Sequence, residues 1–116
     1  HVNLAYEMSR FTINLIPLEK LNPFCVAKSP LKWFESALTG TPSIVCANDT
    51  YAEYIEDLKH AYVADSNAEW LEGMINLAKD SRLRERLVSQ SLESIVPLLS
   101  SEKIAKGFLK KIRHYV

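Results

Sequence analysis

The chain has 116 residues, 47% of them apolar and 24% charged, with 14 basic side chains against 14 acidic ones. That composition excludes a disordered tail and fits one globular domain able to bury roughly two thirds of the surface its unfolded chain exposes. The formal balance of zero excludes whole-molecule attraction to nucleic acid.

Charge is nevertheless uneven. Residues 49–72 carry seven acidic groups and one lysine, whereas residues 102–113 carry five basic groups and Glu102. Cys25 and Cys46 are the only cysteines and sit in apolar sequence, so neither a disulfide framework nor a metal-ligand spacing is indicated; reduced thiols and a cytoplasmic location are expected. No apolar run has the length of a membrane-spanning helix. The His1 start leads to the expectation of a piece of a longer chain.

In chain order, Asn3 to Arg10 predicts a short helix, and Phe11-Thr12-Ile13-Asn14-Leu15-Ile16 a strand ended by Pro17. A loop follows to Lys28. Ser29-Pro30 predicts a helix start, with the serine hydroxyl as cap and the proline at the first helical position, where its missing N–H costs nothing. That helix should run to about Thr39, bury Leu31, Phe34 and Leu38, and stop at Gly40. Ser43 to Ala47 reads as a buried strand, Tyr51 to Leu58 as a helix, and Ala61 to Ala64 as a third strand. Strand-helix-strand-helix-strand at this spacing predicts a parallel sheet with right-handed crossovers.

Ser66 and Glu69 have capping-box spacing, with Leu71, Met74, Ile75 and Ala78 as the expected buried stripe of the helix they open. Asp80 should cap a further helix ending before Pro97. Ser100 or Ser101 should cap a last one with Ile104, Phe108, Ile112 and Tyr115 on one face. Trp33 and Trp70, beside apolar neighbours, read as packing residues rather than sugar-stacking platforms. His1, His60 and His114 do not cluster with other ligand types, so no metal site is expected, and neither a nucleophile elbow nor a glycine-rich phosphate loop is present.

The segment with chemical content runs from Asn22-Pro23-Phe24 through Lys28-Ser29-Pro30-Leu31-Lys32-Trp33-Phe34-Glu35 to Gly40-Thr41-Pro42. Ligands of parallel sheets sit beyond the carboxyl ends of the strands, and this loop follows the first of them. A helix N-terminus there offers free N–H groups and partial positive charge to a diphosphate, with Lys28, Ser29, Leu31 and Lys32 around it. Glu35, one turn on, has two oxygens suited to a vicinal diol. The same residues also read as a plain helix start with an exposed Lys32–Glu35 pair.

The stretch from about Phe11 to Arg86 resembles the C-terminal donor-binding domain of retaining glycosyltransferases with two Rossmann-like domains, the GT-B type of families 1 and 4. The resemblance rests on Ile16-Pro17 at a strand end, on Glu35 with Gly40-Thr41-Pro42 after it and the strand Ser43 to Ala47, on Glu53 in the next helix, and on Asp65 to Trp70. Ala27 stands where the family has the first of two glutamates eight positions apart. The likeness implies an α/β, Rossmann-like fold with helices on both sides of a parallel sheet, residues 1–116 forming one domain that lacks its N-terminal part. It implies a nucleotide-sugar donor with ribose on Glu35 and weaker sugar or loop contacts from Asn22, Phe24 and Glu53, metal-independent transfer and no cofactor. It also implies an N-terminal acceptor-binding domain of the same protein as partner, and an isolated chain inactive on its own. A nucleotide-sugar 2-epimerase of the same architecture and a non-catalytic α/β interaction domain are the alternatives. The basic C-terminal helix, with Lys103, Lys106, Lys110, Lys111 and Arg113, would suit peripheral contact with the inner face of a membrane, and an exposed Phe11 to Ile16 edge would favour self-association.

Overall fold

The computed structural model of the chain describes residues 3–106. The order of elements is α1 (Leu4–Ser9), β1 (Asn14–Ile16), α2 (Pro23–Val26), α3 (Leu31–Leu38), β2 (Ser43–Cys46), α4 (Asp49–Ala52), β3 (Tyr62–Ala64), α5 (Asn67–Lys79) and α6 (Ser81–Leu98). The three strands form one parallel sheet in the order β1-β2-β3. The fold is therefore α/β, as the strand-helix alternation predicts.

Register sorts the strand side chains onto two faces. Ile16, Val45 and Val63 lie in one row, and Leu15, Ile44 and Tyr62 in the other. The first row joins Trp33 and Ala37 of α3 and Ile95 of α6 in one core. Ile44 and Tyr62 join Leu77 of α5 and Leu87 of α6 in a second. Helices thus cover both faces, and α6 packs along both layers. Cys46 lies in the first core, and burial pushes its thiol up.

Two helices present faces other than the predicted ones. On α3 the buried residues are Trp33, Ser36 and Ala37, while Leu31 and Leu38 are exposed and Phe34 is half-buried. On α5 they are Gly73 and Leu77; Leu71, Ile75 and Ala78 face outward. The cause is close approach. Ser36 donates to the Thr41 carbonyl at 2.8 Å, and the Tyr62 ring lies so near Gly73 that a Cβ there would stand 2.8 Å from Tyr62 Cδ1. Small residues let these helices reach the sheet beside the buried Trp33 and Leu77, while Leu31, Leu38, Leu71 and Ile75 lie on the flanks.

Boundaries differ where local bonds intervene. Phe11 donates its N–H to the Met8 carbonyl at 3.1 Å, which keeps it in the turn after α1 and shortens β1 to three residues. The expected helix from Tyr51 to Leu58 is only α4: Leu58 has φ +55°, and its N–H bonds the Ala61 carbonyl at 2.8 Å, turning the chain into β3. The loop before Lys28 contains α2, opened by the Asn22 cap and Pro23. Pro97 lies inside the last turn of α6, not beyond it; so near a C-terminus its missing N–H removes a single helical bond.

Other starts match. Ser66 and Glu69 form a full capping box, and Asp80 caps α6 by accepting the Leu83 N–H at 2.9 Å. Trp33 and Trp70 are packing residues, Trp33 wholly buried and Trp70 against both cores. Residues 101–106 are helical, with the Ile104 N–H on the Ser100 carbonyl at 3.0 Å. The expected apolar face through Phe108, Ile112 and Tyr115, and the cations Lys110, Lys111 and Arg113, lie outside the described residues. No helix among the described residues is long and apolar enough to cross a membrane.

Candidate functional site

The carboxyl end of β1 leads through Pro17 and Leu18 into the loop that carries most of the sequence-predicted residues. Asn22 accepts the Phe24 N–H at 3.0 Å and donates its amide to Glu19 at 3.0 Å, so its side chain is engaged in starting α2. Phe24 is 71% exposed, and the Lys28 ammonium lies 4.8 Å from the centre of its ring, within cation–π range.

The start of α3 differs from the expected one in a way that bears on chemistry. Pro30, not Ser29, stands at the cap position, and no side chain caps the helix. The buried Pro30 carbonyl accepts the N–H groups of both Trp33, at 3.0 Å, and Phe34, at 3.1 Å. Ser29 therefore leaves the first turn uncapped, and the N–H groups of Leu31 and Lys32 have no protein acceptor among the described residues. By contrast α2, α4, α5 and α6 are each capped by a side chain.

Lys28, Ser29, Leu31 and Lys32 line one cavity of about 180 Å³ together with Leu18 and Tyr51. Four predicted residues are thus brought together, beside two that sequence reasoning missed. Leu18 could have been found as the residue after a strand-ending proline; Tyr51 is carried in by the Asn48 cap, whose side chain accepts the Tyr51 N–H at 2.9 Å. Burial pushes the Tyr51 hydroxyl up to about 12, so it enters any neutral-pH chemistry as a proton donor and not as an anion.

The other predicted residues lie elsewhere. Glu35 is half-buried and lines a cleft of about 290 Å³ with Leu4, Ala5, Met8, Leu38 and Thr39, between α1 and α3. Glu53 is exposed and borders a third depression with Tyr54, Glu56 and His60. Another cavity, of about 380 Å³, opens beyond β2 among Cys46, Asn48, Asp49, Tyr51, Asp57 and Val63. Its charged groups are acidic, which disfavours a phosphate there, whereas the cavity at α3 carries two cations and free N–H groups. Among the described residues no group of three or more His, Cys, Asp or Glu side chains is placed to hold a metal ion.

No protein-family model matches the chain, and no curated protein matches its sequence.

Proposed function

We propose that this chain binds the diphosphate of a nucleotide sugar and is the donor-binding domain of a GT-B-type glycosyltransferase. The observation that carries the reading is the uncapped N-terminus of α3, opening into a cavity lined by Lys28 and Lys32 beyond the carboxyl end of a parallel strand. Two backbone donors and the positive end of a helix face a cavity whose lining includes Lys28 and Lys32, a setting that favours an anion. At about 180 Å³ the cavity is smaller than the roughly 300–1,000 Å³ of a site enclosing a whole drug-sized ligand, so it suits the diphosphate and leaves nucleoside and sugar outside.

Glu35 enters through helix geometry. Glu35 follows Leu31 at i+4 and borders the neighbouring cleft between α1 and α3, so a nucleotide anchored at the N-terminus and running down the helix toward that cleft would bring its ribose diol to the carboxylate. In the transfer reaction this end of α3 would stabilise the diphosphate as it leaves the anomeric carbon, with charge supplied by Lys28 and Lys32.

Affinity measurements on point variants test both assignments. Lys32→Ala should weaken nucleoside diphosphate and inorganic pyrophosphate alike, by roughly ten- to a hundredfold for a charge-assisted contact of about 1.5–3 kcal/mol. Glu35→Gln should weaken only the nucleoside diphosphate, which alone carries the diol. Unchanged affinity in Lys32→Ala would remove the phosphate assignment, and equal losses for both ligands in Glu35→Gln would remove the ribose one.

A further inference from the structure

We propose that the cavity beyond the carboxyl end of β2 is a sugar-binding site, in which the Tyr51 hydroxyl and the side chains of Asn48, Asp49 and Asp57 take the hydroxyls of one sugar ring. The inference goes beyond the diphosphate reading and does not depend on it.

Tyr51 is 3% exposed, yet its hydroxyl makes no hydrogen bond among the described residues. Buried polar groups are nearly always paired, so this one calls for a partner from outside the chain. Among the described residues Ser43 Oγ alone is both unpartnered and fully sealed, so the Tyr51 oxygen keeps contact with open space. Tyr51 lines two cavities, the one beyond β2 and the one at α3. After burial itself, the neighbouring Cys46 thiol is the second cause that pushes the Tyr51 hydroxyl up, and Cys46 lines the cavity beyond β2 and not the one at α3. The hydroxyl therefore stands near the floor of the β2 cavity.

The other polar groups define the ligand. Asp57 commits Oδ1 to the Val63 N–H at 2.8 Å, which leaves Oδ2 without a donor among the described residues. The Asn48 side-chain oxygen takes the Tyr51 N–H at 2.9 Å, which leaves its NH₂ group to donate. With Asp49, the cavity thus offers carboxylate acceptors beside amide and phenol donors. The carboxylates oppose an anion, and the Tyr51 O–H needs an acceptor, which an ammonium lacks. A neutral hydroxyl both donates and accepts, so it satisfies both sets. Ile55 and Val63 add an apolar wall suited to the C–H face of a sugar ring. At about 380 Å³ the cavity falls within the roughly 300–1,000 Å³ of small-molecule sites.

Such hydroxyls come from the sugar of a nucleotide sugar or from a separate sugar. Because Tyr51 walls both cavities, a sugar esterified to a diphosphate at α3 has this cavity as its neighbour.

Amide chemical-shift mapping on the full chain tests this, with methyl glycosides of glucose, galactose and mannose, uridine and guanosine diphosphates, and the sugar esters of those diphosphates as probes. Saturable shifts at Asn48, Asp49 and Ala52 are expected with at least one glycoside or nucleotide sugar, and not with the bare diphosphates. A glycoside displaced by the nucleotide sugar identifies the donor's own sugar as the occupant; one that stays bound beside it identifies a separate sugar. Tyr51→Phe should weaken the sugar roughly three- to tenfold and leave the urea midpoint unchanged, since no protein hydrogen bond is lost. Shifts here with none at Leu31 and Lys32 would remove the diphosphate reading and leave this one standing. The absence of sugar-dependent shifts at these amides, an affinity indifferent to Tyr51→Phe, or a lowered urea midpoint in that variant, revealing a protein partner for the hydroxyl, would each overturn the proposal.

Discussion

At the scale of single residues, several side chains do work that their type alone does not reveal. His60 is one. Its Nδ1 accepts the Glu56 N–H at 3.1 Å, its carbonyl accepts from the Ser91 hydroxyl and from the Trp33 indole, and its ring packs 6.1 Å from that of Trp33. Burial first, and Lys59 second, hold the imidazole below its ordinary value of 6.5, so the folded state favours the neutral ring. The sign follows: the contribution is whole above 6.5 and is lost as pH falls through the lower folded-state value. Urea unfolding at pH 7.5 and pH 5 should show a larger loss of stability in the native chain than in His60→Asn, whose amide oxygen does not titrate in this range. Equal losses would mean that His60 is indifferent to its protonation.

The sequence located Lys28, Ser29, Leu31 and Lys32 at one place because helix-start chemistry is local: a proline, a small polar residue and a change of periodicity lie within four positions. What it missed was which of the two neighbours stands at the cap. A serine is the better cap by side-chain chemistry, yet the buried Pro30 carbonyl takes two N–H groups and leaves Ser29 outside. Tyr51 was not legible as a wall of this cavity, since its place depends on a crossover and a return through β2.

At the scale of elements, strand-helix alternation and the caps at Ser66 and Asp80 were readable, since both depend on neighbours within a few positions. The buried faces of α3 and α5 were not. Periodicity ranks positions by hydrophobicity, so it chose Leu31 and Leu38, or Leu71 and Ile75. Packing chose the positions where a small residue allows close approach: Ser36 and Ala37 on α3, Gly73 on α5. Gly73→Ala measures that choice directly. Alanine favours a helix interior over glycine by about 1 kcal/mol, but a Cβ 2.8 Å from the Tyr62 ring forces that buried ring aside, at about 1–3 kcal/mol for overpacking. The second effect is the larger, so urea denaturation should show a net loss of roughly 1 kcal/mol. A gain in stability would mean that the ring yields freely and that α5 is not held by this contact.

At the scale of the whole molecule, the arrangement separates support from chemistry. Two cores, one on each face of the parallel sheet, fix β1 and α3 relative to each other, and α6 ties the layers together through Ile95 and Leu87. Loops beyond the carboxyl ends of the strands carry the cavity at α3 and the acidic one beyond β2, the place where ligands of such sheets bind. Parallel order could be read from the spacing of elements; the division of the loops among separate cavities could not, because it depends on how far each crossover helix is rotated on the sheet. The proposed diphosphate site is the N-terminus of α3. Amide chemical-shift mapping during titration with a nucleoside diphosphate tests it most directly. The largest shifts are expected at the N–H groups of Leu31 and Lys32, saturating with ligand; shifts confined to the acidic cavity around Asp49 and Asp57, or none at millimolar ligand, would rule the site out.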